Sequence, residues 1–557
     1  MMQSFRICAA ALLISVTLAG AAEPQRAGRA MVVSGEVNAT DIGIAVLKSG
    51  GNAMDAAVAM GFVLGVTHSA MCGLGGGGYV LVRMADGRTA FFDFREQAPA
   101  KASRSMFLNA KGELTGDSVV GWRSAAVPGL VRGFEAAHHK FGSKPWAELL
   151  QPAIRLARNG RTLSYGHAMR FREAEKTLRL DPESKRIFLN SGKYFEPGDV
   201  LVQPELAATL ERIARSGASE FYEGETAHRL AGAMAEHGGL ITLEDLQHFT
   251  VSEQPPLAGK YRGYDVITAS GSSSGGVGLL QMLGILEGSG YQKGGVGSAL
   301  SIHIMTEAMR RCFADRSEYA SDPAFVKPPI ARMLDKQYLA SLRASINPNR
   351  ATPSDRIKAG RFVRHEGPDT THYAVLDPEG NAVAVTITLN SPYGSGVTVP
   401  GLGFLLNNNM DNFAANLGKT NQYGLRQGEA NAIQPGKRPV ASMTPTILLR
   451  NGKLFMVVGT PGGPTIVSAV LQAITNVTDF GMNAQDAVTV PRFHHQWYPD
   501  ILFMEAGFSP DTLALLRARG HHIEIRPSNN DVNMILVDGP WIQGAVDPRR
   551  EGKASGL

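Results

Sequence analysis

The stretch GPDTTHYAVLDPEGNAVAVTITLN, residues 367–390, carries two readings at once. Residues 372–376 alternate in polarity, DPEGN (377–381) is a turn, and 382–389 alternate again, so the stretch predicts a β-hairpin. Two adjacent threonines, Thr370 and Thr371, stand at the mouth of its first strand, directly after Gly-Pro-Asp. β-Branched residues suit strands, and for any single threonine that is reason enough. The pair also allows chemistry. A threonine hydroxyl is a weak nucleophile until a base takes its proton. An N-terminal threonine has that base in its own α-amine, which here demands a chain break before Thr370. In such precursors the hydroxyl attacks the preceding carbonyl, that of Asp369, and the resulting ester hydrolyses. The polar, turn-rich run in front of the strand, residues 352–369, is predicted to be an exposed loop where such a break has room.

Around this hairpin the chain reads as a mixed α/β protein. NATDIGIAVLKSGGNAMDAAVAMGFVLGV predicts two helices broken at Gly50-Gly51. GLGGGGYVLVRMADGRTAFFDFRE follows as a glycine run and two strands around Ala85-Asp86-Gly87. Residues 143–190 are mostly helical in pattern, with PWAELLQPAIRLARNG stopping at Gly160, and SIHIMTEAMRRCFADRSEYA predicts an amphipathic helix. KLFMVVGTPGGPTIVSAVLQAITN is a strand, a Gly-Gly turn and a helix. Repeats, low-complexity tracts and long linkers do not occur, so one large or two intimately packed domains are expected for 557 residues.

Composition narrows the function classes. With 44% hydrophobic and 19% charged residues the chain is of the soluble globular type, and a formal charge of +5 over this length is mild. Lysines and arginines do not cluster with interleaved aromatics, which argues against a nucleic-acid partner. At the N-terminus, MMQSFR, an apolar ICAAALLISVTLAG and small residues near Ala21 and Ala22 form a secretory signal pattern over residues 1–22, too short for a membrane anchor. Export to the periplasm or medium is expected. The mature chain keeps two cysteines, Cys72 and Cys312, expected as buried free thiols although an oxidising compartment would allow pairing.

Three motifs invite a functional reading. Gly73 to Gly78 satisfies G-x-G-x-x-G, but dinucleotide binding needs a strand before and a helix after, and here the order is reversed. Gly271-Ser272-Ser273-Ser274-Gly275 matches G-x-S-x-G between a strand and a helix, which keeps a hydrolase with Ser273 as nucleophile as a rival. A structural turn of common turn residues is the plainer account. His494-His495 and His521-His522 lack spaced carboxylate partners, so no metal or other cofactor is expected. The hairpin threonine is the third.

Taken together, TTHYAVLDPEGNAVAVTITLN, LLNNNMDNF, KRPVASMTPT and GTPGGPTIVSAVLQ, with GLGGGGYVLVR, FFDFREQAPAKA and SSGG upstream, closely resemble the γ-glutamyltranspeptidase family over nearly the whole mature chain. The resemblance implies an N-terminal-nucleophile hydrolase with a four-layer αββα fold. It implies cleavage into a large subunit (23–369) and a small one (370–557). Thr370 matches the nucleophile, Thr388 the threonine that orients it, and Gly462 and Gly463 the oxyanion-hole glycines. A strand–Gly-Gly–helix turn suits that task independently, because free amides and a helix dipole converge there. Arg95 and Ser442 match the residues that grip the substrate's distal carboxylate, and an arginine fork fits a carboxylate bidentately. Read without the resemblance, Arg95 beside Glu96 is a surface arginine. Asn390 resembles an asparagine that holds the γ-glutamyl group, and LGKTNQYGLRQG resembles the lid, with Tyr423 at its gating aromatic. The implied reaction cleaves a small-molecule amide through an acyl-enzyme that passes to water or to an amino-acid acceptor, with no nucleic-acid or membrane partner.

The departures from the family pattern concern specificity. Its Met-Asp-Asp becomes Met410-Asp411-Asn412, its paired serines become Ala441-Ser442, and Asn409 replaces a Gln or Glu. The missing aspartate is the one that pairs with the γ-glutamyl α-ammonium. A glutaryl group lacks that ammonium, and an aspartate beneath it would be a desolvated, unpaired charge. The pattern therefore predicts a pocket shifted toward glutaryl, as in the cephalosporin acylases of this family. The alternative is an ordinary glutathione hydrolase, with Asp411 swinging in to supply the charge. An unprocessed exported binding protein that keeps the fold without activity is a third class.

Overall fold

The computed structural model describes residues 22–359, 370–415, 429–528 and 530–557. Two seven-stranded sheets form the interior. The first runs, edge to edge, Lys553–Gly556, Met31–Ser34, Thr371–Leu376, Ala382–Thr388, Gly77–Arg83, Thr89–Asp93 and Ser252–Gln254. The second runs Gln25–Ala27, Trp541–Val546, Asn533–Asp538, Lys453–Gly459, Thr446–Arg450, Tyr264–Thr268 and Leu257–Tyr261. Neighbouring strands within each sheet are antiparallel.

The predicted hairpin lies at the centre of the first sheet, paired from Thr371↔Ile387 to Leu376↔Ala382. Every residue of both its strands is buried. Its alternation separates two interior faces rather than core from solvent. Ala374, Ala384, Met31 and Leu81 meet Met456, Val458 and Met534 of the second sheet in one core. Val375, Val385, Val32 and Val80 face the opposite way and pack on helices Val37–Lys48, Ala53–Thr67 and Leu130–Phe141. Helices Gly275–Leu286, Ala299–Tyr319 and Thr465–Thr478 cover the far side of the second sheet. The result is the expected four-layer αββα arrangement.

Two helices differ in character from a surface helix. Ala53–Thr67 is apolar on all sides, buried along almost its whole length, and started by an Asn52/Asp55 capping box. Ala299–Tyr319 was expected to be amphipathic, yet only Leu300 and Glu318 escape burial. Its charges are satisfied internally. Arg311 Nη1 donates to Glu307 Oε2 at 2.8 Å, and Gln281 Nε2 donates to Asp315 Oδ2 at 2.6 Å.

The same helix corrects the loop expectation for 352–369. Thr352 Oγ1 donates to Glu307 Oε2 at 2.6 Å, and Ser354 and Ile357 are buried. The described part of that run is anchored to the core at these points while Pro353, Asp355, Arg356 and Lys358 stay exposed, so the exposed-loop expectation holds in part; 360–369 lies outside the described residues. So does the signal pattern, apart from Ala22.

Candidate active site

Continuing the hairpin register one step beyond Thr371↔Ile387 sets Thr370 directly across from Thr388. Both are buried, and directly opposed residues bring their Cβ atoms within roughly 4.5–5.5 Å. Strand alternation puts them on the face of His372 and Thr386, whose Nδ1 and Oγ1 are 2.9 Å apart. That face meets the second sheet. A Cβ on Gly459 would stand 2.3 Å from the His372 ring, so the sheets touch there closely enough to need a glycine. Burial pushes the His372 imidazole down to about 3, so it is neutral.

Strand Lys453–Gly459 runs from this contact into Thr460-Pro461-Gly462-Gly463, the predicted oxyanion turn. Gly462 has φ 128° and Gly463 φ 65°, conformations that favour glycine. Their carbonyls turn back into helix Thr465–Thr478, accepting from Thr465 N at 3.2 Å and Ile466 N at 3.0 Å. Asn530 Nδ2 clamps the turn by donating to Pro461 O at 2.7 Å, and it would lie 2.2 Å from any Cβ on Gly462. The glycine run before Gly77–Arg83 has a related role: a Cβ on Gly76 would stand 2.1 Å from Thr388 O. It is a close-approach device, and no nucleotide site.

The remaining predicted residues form one buried network. Arg95 Nη1 donates to Glu96 Oε2 at 2.7 Å, and Arg95 Nε to Pro439 O at 3.3 Å. Arg95 is 1% exposed and Glu96 0%, which overturns the surface reading of this pair. Arg95 follows strand Thr89–Asp93 by two residues, its backbone N donates to Asp93 Oδ1 at 3.0 Å, and Glu96 Oε2 and Pro439 O close over its guanidinium. Burial raises the Glu96 pKa while the Arg95 charge opposes the rise. Asn409 Nδ2 donates to Glu96 Oε1 at 2.7 Å, which leaves Asn409 Oδ1 to accept from Asn412 Nδ2 at 2.7 Å. Asn412 Nδ2 also donates to Asn390 Oδ1 at 2.9 Å, and Asn390 N donates to Thr388 Oγ1 at 2.7 Å. A continuous hydrogen-bonded path thus runs from the predicted carboxylate clamp to the hairpin threonines. Ser442, fully buried, receives a hydrogen bond from Arg316 Nη2 at 2.6 Å.

Other expectations resolve differently. Ser273 does lie between strand Tyr264–Thr268 and helix Gly275–Leu286, but its hydroxyl donates to Met443 O at 2.6 Å. It serves the loop that carries Ser442, and the Ser273 hydrolase reading has no support in this geometry. His494 and His495 are likewise held in place, His494 Nδ1 2.8 Å from Ser468 Oγ and His495 Nε2 3.3 Å from Asp500 Oδ1. Cys72 and Cys312 are buried free thiols. Tyr423 and its whole segment, residues 417–428, lie outside the described residues. Asp411 accepts from Ser118 Oγ at 3.0 Å. Glu96, Arg316 and Asn530 were missed by sequence reading. The available signal for Arg316 was that Glu307, Arg310, Arg311, Asp315 and Arg316 spread too widely around their helix for a single solvent-facing stripe; for Glu96 it was the strand pattern FFDF just before the Arg95-Glu96 pair.

The gamma-glutamyltranspeptidase family model matches residues 39–557. The glutathione hydrolase proenzyme of Escherichia coli (strain K12) is 45% identical over 530 residues, covering 94% of this chain and 91% of that protein. The Acylase ACY 1 proenzyme of Pseudomonas sp. (strain SE83) is 38% identical over 512 residues, covering 91% and 89%. The crystal structure of cephalosporin acylase from Bacillus halodurans superposes with a TM-score of 0.87 at 26% identity, over 98% of each chain. With a family match across nearly the whole chain, and with the threonine hairpin, glycine turn and buried arginine assembled between two sheets, this chain is an enzyme of the gamma-glutamyltranspeptidase family.

Proposed function

We propose that the protein is an exported, self-processing threonine amidohydrolase/acyltransferase whose pocket takes glutaryl amides in preference to γ-glutamyl amides. In the precursor Thr370 Oγ adds to the Asp369 carbonyl and the peptide nitrogen leaves, which gives an ester and a free Thr370 α-amine. Water hydrolyses the ester and releases 23–369 from 370–557. In turnover Thr370 Oγ–H adds to the substrate's amide carbonyl and its proton passes to the α-amine. The Gly462 and Gly463 amides hold the oxyanion, a role worth several kcal/mol in such sites. The C–N bond breaks as the α-amine hands the proton to the leaving nitrogen. Water or an acceptor amine then attacks the acyl-enzyme, and the proton returns to Thr370 Oγ. The relatives' names, which include the word proenzyme, support this two-chain reading.

One observation carries the acyl preference: Asn412 Nδ2 donates to both Asn390 Oδ1 and Asn409 Oδ1. A γ-glutamyl ammonium calls for a counter-charge at this wall, and Asn412 presents instead a neutral amide that spends its donors on two carbonyl oxygens. The carboxylate at the far end of either acyl group keeps Arg95 and Ser442. The wall is neutral at Asn412, so glutaryl leaves no buried charge unpaired. A hydrolysis panel of glutaryl, γ-glutamyl and aminoadipyl anilides tests this. Higher kcat/KM for glutaryl supports the reading, and a strong γ-glutamyl preference overturns it in favour of a glutathione hydrolase.

A further inference from the structure

In Pro461-Gly462-Gly463-Pro464 two prolines bracket two glycines, and proline has no N–H to donate. Between strand Lys453–Gly459 and helix Thr465–Thr478, this run therefore offers just two backbone donors, Gly462 N and Gly463 N. Neither of them donates to a described residue.

The opposite end of each peptide unit is held. Both units are trans, and a planar trans peptide points its C=O and its N–H in opposite directions. The carbonyl that shares a plane with the Gly462 N–H is Pro461 O. It accepts from Asn530 Nδ2 at 2.7 Å and from Thr460 Oγ1 at 2.8 Å. The carbonyl that shares a plane with the Gly463 N–H is Gly462 O. It accepts from Thr465 Oγ1 at 2.6 Å and from Thr465 N at 3.2 Å. A Cβ on Gly462 would meet Asn530 Nδ2 at 2.2 Å and Thr465 Oγ1 at 2.7 Å, so both side chains close on the same face of that glycine.

These side chains are themselves placed by the fold. The strand pair Gly459↔Asn533 sets residues 530–531 alongside 460–461. Asp531 N donates to Thr460 Oγ1 at 3.0 Å, which leaves the Thr460 hydroxyl proton for Pro461 O. Ser528 Oγ donates to Asn530 Oδ1 at 3.0 Å, so the buried Asn530 amide turns its NH2 group toward the turn. Thr465 is the first residue of its helix, where the backbone of the first turn fixes its direction.

We infer, on the Thr370 chemistry proposed above, that Asn530 and Thr465 are positioning residues of the reaction. Asn530 aims the Gly462 N–H, and Thr465 the Gly463 N–H, at the oxygen that becomes negative in the tetrahedral intermediate. Each acts through one peptide plane. A donor fixed before the reaction need not reorient as charge develops, and an oxyanion hole draws its strength from that. A hydrogen bond at the carbonyl also polarises its peptide and makes the N–H at the other end a better donor.

Asn530→Ala and Thr465→Val remove the two donors without adding charge, and Thr465→Ser keeps its hydroxyl. In the fully processed, two-chain enzyme each of the first two should lower kcat for a glutaryl anilide about tenfold, with KM nearly unchanged. That is less than the about 100–1000-fold lost when an oxyanion donor itself is removed. The probe for donor direction is the boronic acid in which boron replaces the glutaryl carbonyl carbon. Thr370 Oγ adds to boron, its proton passes to the α-amine, and a boron-bound O⁻ takes the oxyanion position. The inhibition constant should rise by the factor by which kcat falls, and Thr465→Ser should keep both near the parent values. Unchanged kcat in both variants, a loss confined to KM, or a kcat loss without weaker boronate binding overturns the positioning role. If the unmodified enzyme neither hydrolyses the anilide nor binds the boronate, the Thr370 reading itself falls, and the positioning role with it.

Discussion

Arg316 Nη2 stands 2.6 Å from Ser442 Oγ, and both side chains are closed off from solvent. Arg316 Nε also donates to Ser274 Oγ at 3.1 Å, and Ser274 Oγ to Ala441 O at 2.8 Å. A guanidinium has no lone pair to offer, so it occupies an acceptor position of Ser442 and leaves the hydroxyl proton to point elsewhere. In the proposed pocket that direction is the acyl carboxylate. With Ala441 in place of a second serine, this one donor gains weight. Arg316→Met should raise KM for carboxylate-bearing acyl anilides about tenfold while kcat changes little, and Arg316→Lys should recover part of it. A loss confined to kcat would contradict a positioning role.

In the proposed mechanism Thr370→Ala removes both the attacking oxygen of processing and that of turnover. Mass spectrometry should find one uncleaved chain in place of fragments joined at Asp369-Thr370, with activity down at least about 10^4-fold. Thr370→Ser should still split. Full activity in an intact chain would refute the mechanism.

Asn412→Asp tests the acyl wall. Aspartate cannot donate, so Asn390 Oδ1 and Asn409 Oδ1 would both face a carboxylate. Asn409 cannot simply flip its amide, because its Nδ2 is held by Glu96. The single change should therefore lower glutaryl turnover by about 10–100-fold while γ-glutamyl turnover gains less than that. Paired kcat/KM values for the two anilides give the answer.

Arg95 and Glu96 form a fully buried pair, so removing one partner strands the other. Arg95→Met should cost about 3–5 kcal/mol in a urea titration, together with binding of carboxylate acyl groups. Arg95→Met/Glu96→Gln should regain most of the stability and none of the binding. Recovery of both would show that the arginine serves packing alone.

The four-layer architecture was legible through the family resemblance, while local patterns marked only some of its strands and helices. The hairpin at 371–388 and the strand–Gly-Gly–helix unit at 453–478 are fully specified by alternation and turn residues. Burial was less legible. FDFRE reads the same whether its arginine meets water or the space between two sheets, and only the stacking of distant strands decides. Arg316 and Ser442 come from remote parts of the chain with no shared motif, so their contact is a property of topology alone.

Asp531 gives a pH signature with a definite sign. Its carboxyl is buried, Oδ1 has no hydrogen-bond partner, and its pKa rises from 3.8 to about 7. Burial is the main cause, Asp547 adds to it, and Arg550, Arg170 and a hydrogen bond from Asn533 oppose it. Between these values the folded protein keeps a proton that the unfolded chain has released. Stability from this group is complete below the unfolded pKa and is lost as pH rises through the folded one, by on the order of 4 kcal/mol in all. Buried histidines such as His372 and His494, both pushed down to about 3, slope the other way below their unfolded pKa, because there the unfolded chain binds the extra proton. The total curve mixes these terms, but the difference between Asp531→Asn and the parent isolates one. That difference, from denaturant midpoints, should be nearly constant below pH 4, grow in favour of the variant up to about pH 7, and then level off. A flat difference from pH 4 to 8 would mean that the native Asp531 carboxyl titrates like an exposed one.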